Sequence, residues 1–76
     1  MPEMNTKAYA RLRAFTVDLE NLWGTRPRLV LACAGGSDEH WQFFHPEAPY
    51  AVACTLQIDG TGPEAHPDAP EWVKFP

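Results

Sequence analysis

Apolar side chains recur along residues 6–23 at Ala8, Leu12, Phe15, Leu19 and Leu22. Steps of four and three place these five on one face of an amphipathic α-helix. Asn5 supplies an N-cap, Gly24 a stop, and Pro27 blocks continuation. Arg11, Arg13, Asp18 and Glu20 fall mostly on the side facing water.

After Pro27 the period shortens. Leu29 to Ala34 is an unbroken apolar run that stops at Gly35-Gly36-Ser37-Asp38, a turn sequence. The aromatic-rich stretch 39–45 reads as a second strand, ending at the turn Pro46-Glu47-Ala48-Pro49. Residues 50–58 alternate, with Tyr50, Val52, Cys54, Leu56 and Ile58 on one face and Ala51, Ala53, Thr55 and Gln57 on the other. Asp59-Gly60-Thr61-Gly62-Pro63 closes that third strand. The segment 63–76 holds Pro63, Pro67, Pro70 and Pro76, which predicts an extended chain. It also holds Trp72, Val73 and Phe75, too much apolar surface for a free tail.

These elements predict an α+β fold of order α-β-β-β. An N-terminal amphipathic helix packs on a three-stranded antiparallel meander, and the Pro-rich C-terminal tail docks on the sheet. Short turns set an expected register in which residue 31 faces 43 and 43 faces 52. Leu31, Phe43 and Val52 then form one row, and Cys33, Trp41 and Cys54 the next, all on the face that receives the helix. The other face carries Val30, Ala32, Ala34, Phe44, Ala51 and Ala53. So apolar a surface calls for a cover: the tail, a second copy or a target.

Seventy-six residues make one domain, 1–76, with a thin core. No apolar run approaches the ~18 residues of a membrane span, and Met1-Pro2-Glu3-Met4-Asn5 does not begin a signal peptide. A cytoplasmic location is therefore expected, with no membrane contact. Two cysteines are too few for a disulfide scaffold, so Cys33 and Cys54 are expected as reduced, buried and unlinked thiols.

Charge changes the picture further. The net charge is −4, but residues 1–28 carry five basic side chains against three acidic ones, while residues 29–76 carry seven acids against Lys74 alone. An acidic second half argues against direct nucleic-acid binding and favours a basic protein partner.

The candidate chemistry is sparse. Cys33, Cys54, His40, His45 and His66 could ligate a metal, yet no pair has the close spacing of a zinc site. His40 and His45, five apart on one strand, point to opposite faces. Ser37, Asp38 and His40 read as a polar turn rather than a catalytic triad. Cys33 with His40 would make a dyad, but the pattern puts Cys33 in the core. Gly35-Gly36 leads into a strand and Gly60-Thr61-Gly62 into proline, so neither cradles phosphate at a helix start. Trp41 and Phe43 could stack on bases, but both lie on the core face. No enzyme, metal or cofactor is expected.

What the residues do predict is a small, acidic, non-catalytic binding protein that inhibits or regulates a protein partner. Asp38, Glu39 and Asp59, with Glu47 and Glu64, are its candidate contact residues. In size and acidity the chain is similar to phage-encoded inhibitors of the anti-CRISPR type. That similarity, carried by no motif, implies occupation of a basic surface built for nucleic acid. The alternatives are a homodimeric structural or subunit protein, and a small metal-binding protein or enzyme.

Overall fold

The computed structural model describes residues 6–34 and 38–73. Helix α1 spans Thr6–Trp23, with Ala8, Leu12, Phe15 and Leu19 buried as the spacing requires. At its end Gly24 adopts φ +72° and donates its N–H to the Glu20 carbonyl at 2.9 Å. That is the left-handed helix stop expected of glycine. Leu22, the last member of the expected stripe, is half exposed; Trp23 turns inward instead. The proposed cap Asn5 lies outside the described residues.

Four strands follow: β1 (Arg28–Ala34), β2 (Asp38–Phe44), β3 (Cys54–Gln57) and β4 (Glu64–Ala65). They form one antiparallel sheet in the order β1-β2-β3-β4. The α+β class holds, but with four strands where three were expected.

The register also differs. Leu31 pairs with Trp41 and Trp41 with Leu56; Leu29 pairs with Phe43 and Phe43 with Cys54. Both pairings are displaced by two residues from those expected. An even displacement leaves every side chain on its face. The helix therefore packs where expected: Leu12, Phe15 and Leu19 bury against Phe43, Cys54 and Leu56, flanked by Trp23 and Trp41. Phe15 and Phe43 meet edge to face, centroids 5.0 Å apart.

The third strand is less than half the expected length. Ala48 donates to the His45 carbonyl and Ala51 to that of Ala48, so consecutive turns consume the start of 50–58. Pro46 and Pro49 have no N–H to offer a ladder. Tyr50, expected inside, is 76% exposed. Ala53 donates to the Phe43 carbonyl opposite the residue that Cys54 also pairs with, a β-bulge that starts the strand proper.

The tail also departs from expectation. Glu64–Ala65 pairs with Thr55 and Cys54 as β4, extending the sheet instead of lying across it. Beyond it a 3₁₀ turn, Glu71–Val73, brings Val73 with Ala69 into a second apolar cluster holding Ala48, Ala53 and the edge of Trp23. Trp72 stays largely exposed, and Phe75 lies outside the described residues. The second sheet face is left partly open, with Val30 half exposed.

Cys33 and Cys54 are both free, as expected, but only Cys54 is buried. Cys33 pairs with Glu39 on the edge strand, not in a row with Trp41 and Cys54. Burial pushes the Cys54 thiol up to about 12.

Candidate functional site

The up-and-down topology brings three of the expected acidic residues to one end of the sheet. Ile58 donates its N–H to the Glu39 carbonyl at 3.4 Å, so Asp59 emerges beside Glu39, and Asp38 precedes it on β2. Asp59 is exposed and accepts the Thr61 N–H at 2.9 Å, an Asx turn that fixes the carboxylate. The Thr61 hydrogen bonds hold its carboxyl below the usual range. The same end carries a cation: Arg11 donates to the Gly62 carbonyl at 2.9 Å. Gly60, at φ +92°, lies so close to α1 that a Cβ there would sit 3.3 Å from the Ala8 Cα. The acidic end is thus pinned to the helix start.

Glu47 and Glu64 do not join this group. Glu47 lies in the turn after β2, at the opposite end, where its N–H donates to His45 Nδ1 at 3.1 Å. Glu64 faces Thr55 on the outer strand β4.

The histidines and cysteines weighed above as metal ligands or catalytic groups lie apart. His45 is buried between Trp23 and Trp72, at centroid distances of 5.0 and 5.1 Å. His66 Nδ1 accepts the Asp68 N–H, and His40 Nε2 lies 3.2 Å from the Gln42 amide. His40 pairs with Ala32 and Cys33 with Glu39, so those two neighbours face opposite sides of the sheet. Ser37 lies outside the described residues. Among the described residues no three His, Cys, Asp or Glu side chains converge as metal ligands. No helix among them is long and apolar enough to cross a membrane.

A different surface stands out, one that the sequence pattern concealed. On β1, Leu29, Val30 and Leu31 are 38, 47 and 49% exposed. Their neighbourhood on α1 is also apolar, with Tyr9 and Val17 exposed. Between helix and strand runs a groove of about 420 Å³, lined by Tyr9, Leu12, Arg13, Val17, Arg26 and Leu29 among others. Arg26 forms an exposed 3.4 Å ion pair with Glu20 at its rim.

The backbone of β1 is equally open. Glu39 aims its main chain at β3, so by alternation Trp41 and Phe43 do the same, while His40 and Gln42 aim at β1. Their partners Ala32 and Val30 answer them. Leu29, Leu31 and Cys33 are thereby left with N–H and C=O groups pointing outward, and among the described residues no strand lies beyond them. A continuous apolar run reads as a strand covered on both faces. The expected meander already sets β1 at an edge; what the run conceals is that α1 leaves Leu29 and Leu31 bare there.

No protein-family model, curated protein or solved structure matches the chain.

Proposed function

We propose that this chain is a non-catalytic binding protein that regulates or inhibits a protein partner, with β1 as its principal contact surface. The observation that carries the reading is the exposure of Leu29, Val30 and Leu31 on an edge strand with outward-facing main-chain groups. Natural edges are usually blunted by charge, proline, bulges or brevity. The opposite edge obeys that rule: β4 has two residues and lies between Pro63 and Pro67. By contrast β1 has seven residues in unbroken register and one charge, Arg28, at its end. Strand addition with apolar side-chain contacts is the binding mode such an edge serves.

The experiment is an affinity purification with the wild type and Leu31→Lys, after circular dichroism shows that the variant folds. A specific protein, whether another chain or an untagged copy, is retained by the wild type and lost with the variant. Equal retention by both would refute β1 as the contact.

A second contact, through the acidic end, is favoured by the placement of Asp38, Glu39 and Asp59 at one end of the sheet. It would steer a basic partner, as an inhibitor of the anti-CRISPR type requires. With Asp38→Asn, Glu39→Gln and Asp59→Asn combined, association should slow and lose its dependence on salt, while the chain stays folded.

A further inference from the structure

We infer that the partner seated on β1 is a second copy of this chain, joined edge to edge about a two-fold axis through Leu31. The inference rests on the reading of β1 as the contact surface and names its occupant.

The first ground is the geometry of the edge. A two-fold contact is isologous, so the strand must complement itself in antiparallel orientation. The outward main-chain groups belong to Leu29, Leu31 and Cys33, spaced symmetrically about Leu31. Pairing Leu31 with Leu31 of the second copy sets Leu29 against Cys33 and Cys33 against Leu29. Each of these is a hydrogen-bonded pair in the antiparallel pattern, so all six outward N–H groups of the two strands find carbonyls. A displacement by one residue would set outward groups against inward ones and leave them unpaired.

Charge gives the second ground. Arg28 is the one charged residue of β1, and in this register it lies opposite position 34 of the second copy, an alanine. The two Arg28 residues therefore stand at opposite ends of the joint, six residues or about 20 Å apart along the strands. No like charges face each other across it, which would be destabilising.

Apolar contact is the third. Leu31 meets its own copy, and Leu29 meets Cys33, on the face where α1 leaves β1 uncovered. The same residues that are half exposed in one chain are those the two-fold brings together. The result is a continuous eight-stranded sheet with both β4 strands, short and proline-flanked, at its outer edges.

The test is sedimentation equilibrium of the full chain from about 5 to about 200 µM, the range in which a small interface associates. The wild type should pass from monomer to twice the monomer mass. Leu31→Lys, which sets two cations opposite each other on the axis, should remain a folded monomer throughout. Oxidising Leu31→Cys in a Cys33→Ser background should yield a covalent dimer, because a hydrogen-bonded pair holds Cα atoms about 5.5 Å apart, within disulfide range. Val30→Cys in the same background, with Ala32 as its opposite residue, should crosslink far more slowly. A wild type that stays monomeric at the highest concentration overturns the inference; if Leu31→Lys still loses a heterologous protein, β1 remains the contact surface. A dimer that persists in folded Leu31→Lys, or equal crosslinking at 30 and 31, overturns this interface.

Discussion

Phe15→Ala removes the side chain through which α1 grips the sheet. Phe15 is 5% exposed and meets the fully buried Phe43 edge to face at 5.0 Å. Truncating a buried phenylalanine typically costs about 3–5 kcal/mol in transfer and cavity terms. Within that loss, the edge-to-face contact contributes about 0.5–1.5 kcal/mol beyond area burial. At about 0.05–0.15 kcal/mol per residue, a chain of 76 residues holds about 4–11 kcal/mol in all. The loss takes from about a quarter to all of that reserve, so the urea midpoint should fall by at least about a quarter at 25 °C. Urea denaturation followed by far-ultraviolet dichroism and tryptophan fluorescence reads the loss directly. Leu22→Ala, on the same helix but half exposed, is the control and should cost less than about 1 kcal/mol. A folded Phe15→Ala with the wild-type midpoint, or a larger loss from Leu22→Ala, would refute the assignment of the core face.

Other outcomes follow from single positions. In dilute native protein a thiol reagent should modify Cys33 quickly and Cys54 only on unfolding, since Cys33 is exposed and burial pushes the Cys54 thiol up to about 12; a mass spectrum taken before and after denaturation counts the two. Gly60→Ala should destabilise more than Gly24→Ala in the same urea assay: both glycines have positive φ, but only at Gly60 does the new Cβ press on the Ala8 backbone, and equal costs would contradict that packing. Asp59 has its carboxyl lowered in the folded state, so its contribution is present above the unfolded carboxylate range and fades as pH falls through the folded value. The stability difference between wild type and Asp59→Asn should therefore shrink on acidification below about pH 4, and a difference that grows there would contradict the Thr61 interaction.

The helix was legible because burial follows a fixed angular period, and Ala8, Leu12, Phe15 and Leu19 obey it. Leu22 fails because the helix ends one residue later, where Trp23 takes up the apolar space between the two clusters. The faces of β1, β2 and β3 were legible for a similar reason: parity survives a two-residue change of register. Register itself was not, since it depends on how many residues each turn consumes. Between Phe44 and Cys54 the successive turns at Ala48 and Ala51, and the bulge at Ala53, absorb residues that alternate like a strand. Proline density hid β4, because two residues between prolines satisfy an edge without any strand pattern. That Glu39 and Asp59 lie at one end of the sheet needed only the up-and-down order of the strands. Exposure of Cys33 and Leu31 needed more: the lateral position of α1, which covers Phe43 and Leu56 and leaves the flank of β1 bare.

Amide hydrogen exchange along β1 tests the open edge and its occupant together. Val30 and Ala32 donate inward to β2 and should exchange slowly at every concentration. Leu29, Leu31 and Cys33 should exchange quickly in dilute protein and become protected as concentration rises and the second copy docks. Leu31 exchanging at one rate across the whole range, or Val30 exchanging as fast as Leu31, would contradict the account.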